Sequence, residues 1–139
     1  MKDKTLSLFE GTISAASTVA QTGKFLGKNR AWNAVARLGG TITAGATLSY
    51  TMEESADNAT GWTTVPGTGS VTVPQMVGFQ STTPAAAYEV PGTFAIRTPF
   101  NNTKDYVRVS TTVGGTTPTI TGISIYADPV NNPIVNSGR

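Results

Sequence analysis

Apolar and polar residues alternate with a period of two through most of this chain, most clearly in YVRVSTTVGGTTPTITGISIYAD, residues 106–128. Val107, Val109, Thr111 and Val113 alternate with Arg108, Ser110 and Thr112, as in a strand with one buried face. Beyond Gly114-Gly115, Ile123, Ile125 and Ala127 oppose Ser124 and Tyr126. The two runs predict a hairpin joined through a Gly/Thr/Pro loop, and a lone hairpin needs a second sheet to cover its Val/Ile face. Upstream, Leu48, Tyr50 and Met52 oppose Thr47, Ser49, Thr51 and Glu53. AWNAVARL puts Trp32, Ala34, Ala36 and Leu38 opposite Asn33, Val35 and Arg37; Gly39-Gly40 is expected to end that strand in a turn.

Shorter strands are expected at 62–65, around Val71 and Val73, and at 93–98, where Phe94 and Ile96 point inward and Pro99 ends the run. Residues 75–86 lack a period and are expected to form a long connection. The pattern amounts to about eight strands and no long helical segment, which predicts an all-β fold, an antiparallel β-sandwich or jelly roll. The predicted core includes Leu48, Tyr50, Met52, Phe94, Ile96, Val107, Val109, Ile123 and Ile125. One domain is expected over residues 1–128, with residues 1–9 either a first strand or an arm, and residues 129–139 an extended tail.

Composition narrows the chemistry. Cysteine and histidine are both absent, which removes thiolate ligands, disulfides, the commonest general base and the commonest metal ligand. Charged residues are 13% of the chain and the net charge is +2, too little to imply a nucleic-acid partner. The distribution is uneven: Lys24, Lys28, Arg30 and Arg37 lie in the acid-free interval between Glu10 and Glu53. The amino-terminal apolar run is interrupted at Glu10 and Gly11, and no run is long enough to span a membrane, so synthesis in the cytoplasm without a membrane partner is expected.

Candidate catalytic groups are few. Glu53 and Glu54 point to opposite faces of a strand and cannot flank one bond; a solvated strand end is the plainer expectation. Glu54, Asp57 and Asn58 lack the twelve-residue spacing of a calcium loop. Serine and threonine hydroxyls have no marked base, and the glycine pairs lie between strands rather than ahead of a helix. No catalytic residue, metal or cofactor is therefore expected. Trp32 and Trp62 are either a stacking platform for sugars or bases, or packing residues.

The stretches GGTITAGATLSYTMEESADNATGWTTV and DYVRVSTTVGGTTPTITGISIYAD resemble the jelly-roll cement, or decoration, proteins of tailed-phage heads. The similarity rests on a strand running into a Ser/Asp/Asn turn before Trp62 and on Tyr106, Arg108, Gly115, Thr116, Thr121 and Gly122 in the final pair of strands. It implies a homotrimer on the outer surface of the virion, joining major capsid subunits at three-fold and local three-fold positions. Partner contacts are expected from the terminal segments, through Lys2, Lys4, Leu6, Leu8, Ile134, Val135 and Arg139, or from the basic loop bearing Lys28 and Arg30. The alternative is a carbohydrate-binding jelly roll, such as a tail-fibre or accessory domain, with exposed coplanar Trp and Tyr rings.

Overall fold

The computed structural model describes residues 7–72, 88–89 and 96–129, and these form twelve strands and no helix. In order they are β1 (Ser7–Ile13), β2 (Ser17–Ala20), β3 (Lys24–Phe25), β4 (Arg30–Leu38), β5 (Thr41–Ile42), β6 (Thr47–Ser55), β7 (Thr63–Thr64), β8 (Val71–Thr72), β9 (Tyr88–Glu89), β10 (Ile96–Asn102), β11 (Tyr106–Gly114) and β12 (Ile120–Pro129). Six of them, β1, β4, β6, β10, β11 and β12, are seven to ten residues long and carry the fold, and the other six are two to four residues long. About eight strands were expected. The difference lies in the short strands, which hold a few ladder bonds each and leave little periodicity to read.

All pairings are antiparallel and fall into two sheets. One runs β10-β4-β12-β5-β9 with β1 on β12; the other runs β2-β11-β6-β7, with β3 on β11 and β8 on β6. Their apolar faces meet as a β-sandwich. Leu38, Ile42, Ile123 and Ile125 come from one sheet and Leu48, Tyr50, Met52, Val107 and Val109 from the other, none more than 1% exposed, all in one core cluster. Of the predicted core, Phe94 lies outside the described residues, and Ile96 is described only as the first residue of β10.

The expected final hairpin does not form. β11 pairs along its whole length with β6, from Tyr106 opposite Ser55 to Gly114 opposite Thr47, while β12 pairs with β4 and β1 in the other sheet. The two strands are joined by an arch rather than a tight turn. The arch turns through Gly115 at φ +120° and Thr117 at φ 45°, and a Cβ on Gly115 would lie 2.7 Å from the Gly45 carbonyl oxygen. The five residues 115–119 can span more than the roughly 10 Å between packed sheets.

Gly39-Gly40 is likewise no turn. β4 and β5 both pair with β12, through Leu38 opposite Ile123 and Ile42 opposite Ile120, so the glycines mark an irregularity along one side of β12, inside the sheet. Gly122 faces them at φ +69°, where a Cβ would stand 2.5 Å from the Gly40 nitrogen. Thr121 bridges the gap by accepting the Thr41 N–H at 2.8 Å. Pro99 does not end its strand either. It lies in the middle of β10, an edge strand among the described residues, where a missing donor is tolerated.

Residues 1–6, the whole of the predicted 75–86 connection and the 130–139 part of the tail lie outside the described residues. Within the expected amino-terminal arm, Ser7, Leu8 and Phe9 belong to β1, which pairs with β12.

Candidate docking surface

Because Val107 and Val109 point into the core, Tyr106 and Arg108 on the same strand point outward. Phe25 of β3 stands directly opposite Tyr106, and the two rings meet edge to face, 5.4 Å between centroids at 74°. Phe25 is 63% exposed, and β2, on the same sheet edge, carries Val19 at 43%; these are the exposed large hydrophobic side chains among the described residues. Arg108 stands opposite Glu53 and donates from Nε to Oε1 at 2.8 Å, with both side chains about a quarter exposed. Its guanidinium carbon lies 4.1 Å from the Trp62 ring centroid, a cation–π contact that covers one face of the indole.

The loop after Phe25 is built from backbone bonds. The Asp105 carbonyl accepts the N–H groups of Leu26 and Gly27 at 2.8 and 3.1 Å, and its carboxylate accepts that of Lys28 at 3.0 Å. Asn102, fully buried, is the second support: Nδ2 donates to the carbonyls of Gly27 and Lys104 at 2.6 and 2.7 Å, and Oδ1 accepts Trp32 Nε1–H at 3.1 Å. Gly27, at φ +80°, lies between two side chains: a Cβ there would stand 3.5 Å from Arg30 Nε and 4.0 Å from the Phe25 ring. Phe25 and Arg30 thus flank one glycine on a corner held by Asp105 and by the buried Asn102 side chain. Lys28 and Arg30 are exposed, as expected, and neither they nor Lys24 is ion-paired among the described residues. The basic interval spans both sheets, however: Lys24 lies in β3 of the β11 sheet, whereas Arg30 opens β4 of the other sheet and Arg37 lies seven residues further along it.

Other sequence-predicted residues fall elsewhere. Leu8 is 2% exposed and belongs to the core, so it is not available to a neighbour; alternation along β1 turns it inward beneath the β12 pairing. Lys2, Lys4, Leu6, Ile134, Val135 and Arg139 lie outside the described residues. Trp32 is 4% exposed and is a core residue, whereas Trp62 is half-buried on the outer face of the β11 sheet.

Glu54 is not at a solvated strand end. It is 2% exposed, and its carboxylate accepts the Thr103 N–H at 2.7 Å, the Thr103 hydroxyl at 2.6 Å and the Lys104 N–H at 3.2 Å. The signal was present in the sequence, since Glu54 continues the inward series Leu48, Tyr50, Met52. Asp57 is exposed and organises its own turn. The N–H groups of Thr60 and Ala59 and the hydroxyls of Ser55 and Thr60 hold its carboxyl well below the usual carboxylate range. With Glu53 on Arg108, Glu54 on the 103–104 backbone and Asp57 on its turn, each of these carboxylates has a structural partner, and the described residues hold no cluster of three metal-ligating acids. Trp32, Pro66, Pro99 and Phe100 line a shallow cleft of about 340 Å3 that carries no charged side chain.

What the outer face of the β11 sheet can do is dock. It offers one projecting ring, a second ring behind it and unpaired cations alongside. Compared with protein-family models and with curated proteins, the chain matches none.

Proposed function

We propose that this protein is a non-catalytic decoration protein of a tailed-phage head, a homotrimer on the outer surface of the capsid that joins major capsid subunits at three-fold and local three-fold positions. The observation that carries the reading is the exposed Phe25, backed by Tyr106 and set beside unpaired Lys28 and Arg30 on a corner fixed by Asp105 and Asn102. Such a corner suits attachment to another protein, because an apolar anchor with charges at its rim loses little entropy when its support is already rigid. The resemblance of residues 39–65 and 105–128 to cement proteins supplies the partner and the symmetry. Three copies around an axis bury heterologous patches and close the ring.

The rival reading, a carbohydrate-binding module, draws on Phe25, Tyr106 and Trp62 sharing one sheet face. A stacking platform needs open, roughly coplanar rings. Here the Phe25 and Tyr106 planes are 74° apart and Arg108 covers one face of Trp62, which favours protein docking.

Two measurements test the proposal. Light scattering of the isolated protein is expected to give three times the chain mass, and a monomer at micromolar concentration would remove the trimer from it. Incubation with heads lacking the protein, followed by electron cryo-microscopy, is expected to show added density at three-fold positions. Bare heads, with binding to an oligosaccharide panel instead, would transfer the protein to the rival class.

A further inference from the structure

We infer that the Phe25–Arg30 corner is the docking site itself, and that it takes an acidic segment of a partner protein in which a carboxylate lies next to an apolar side chain. The inference rests on the decoration reading above and says which surface performs it. The juxtaposition that carries it is the Gly27 niche. A Cβ at that position would lie 3.5 Å from Arg30 Nε and 4.0 Å from the Phe25 ring, so the glycine keeps open the space between a cation and an apolar ring. A partner side chain entering there meets guanidinium on one side and phenyl on the other. Neither group has a competing partner among the described residues: Phe25 is 63% exposed with only its edge contact to Tyr106, and Arg30 forms no ion pair.

Charge selects the occupant. Lys24, Lys28, Arg30 and Lys104 lie on or beside the segments that build the corner. Of the acids nearby, Glu53 is neutralised by Arg108, whereas Asp105 and Glu54 accept from neutral backbone and hydroxyl donors and offset two of these four cations, which leaves the corner net positive. An acidic partner surface therefore gains complementary contacts and a basic one is repelled. A nucleic acid fits less well. The chain carries only +2 overall, and the corner presents one projecting ring rather than a row of bases' worth of stacking surface along a basic groove.

The experiment uses heads lacking the protein, with wild-type protein and the Phe25→Ala, Arg30→Glu and Lys28→Glu/Arg30→Glu variants, each first checked for an unchanged circular dichroism spectrum, melting temperature and oligomeric state. Phe25→Ala and Arg30→Glu are each expected to weaken head binding by about tenfold or more, and the wild type's binding to fall with added salt more steeply than the double variant's. Wild-type binding with unchanged binding of the variants overturns the corner and leaves the decoration reading standing. Wild-type protein that leaves heads bare overturns both. Loss of the oligomer in Phe25→Ala would assign the ring to a subunit contact and overturn the inference, as would tight binding of the wild type to a single-stranded oligonucleotide at the same salt.

Discussion

Tyr50 is the one described residue whose buried polar atom has no hydrogen-bond partner. Its ring fills the core at 1% exposure, and the hydroxyl comes near the Thr98 side chain without bonding to it. Tyr50→Phe keeps the ring and deletes the orphaned group, so it is expected to stabilise the fold by about 1 kcal/mol in urea unfolding. Burial also pushes the Tyr50 hydroxyl above the ordinary tyrosine value, and the nearby Thr98 side chain acts in the opposite direction. The unfolded chain then loses this proton near pH ~10 while the folded chain keeps it. The stability that follows is complete below that pH and declines as the pH rises above it, and in Tyr50→Phe this part of the alkaline loss should vanish. Glu54 is the opposite case, a buried polar group fully used. Glu54→Ala leaves three donors of Thr103 and Lys104 without their acceptor and should cost about 2–4 kcal/mol by the same measurement.

Among the elements, β12 bears the most demands, since β1 flanks one side and β4 and β5 the other. Gly122 lets it do so. At φ +69° its backbone bends past Gly39 and Gly40, so that Ile120 and Ile123, three residues apart, both reach the core. Gly122→Ala meets both an unfavourable conformation and a Cβ against the Gly40 nitrogen, and a loss of about 2–4 kcal/mol is expected. Val35 and Tyr126 show where alternation misleads at this scale. They are partners across β4 and β12 and face away from the core by parity, yet they are 0% and 8% exposed. A period of two assigns a face to a residue; it does not say whether that face is covered.

In the whole molecule, β11 and β12 lie in opposite sheets, and this arrangement can be checked in solution. Interstrand nuclear Overhauser contacts should join Val109 to Met52 and Ile125 to Ala36, and none should join β11 to β12 as laddered neighbours. Val109→Ala and Ile123→Ala, one from each sheet, should each cost roughly 1–4 kcal/mol, since both side chains are at most 1% exposed in the shared core. By itself the sequence determined what is local and periodic: strands and no long helix, the inward series of β4, β6, β11 and β12, and the exposure of Lys28 and Arg30, whereas Glu54, expected at a solvated strand end, is buried. These follow from side-chain parity, which any strand obeys whatever its neighbour. The tertiary structure alone decided pairing. The same Val and Ile faces suit a hairpin or an arch, and it is the packing of Gly115 on Gly45 and of Gly122 on Gly39-Gly40 that selects the arch. It likewise decided the candidate site, because Phe25 and Arg30 come to flank Gly27 only once Asp105 and Asn102, more than seventy residues downstream, hold the loop between them. Hydrogen bonds of that range leave no spacing to read in the chain.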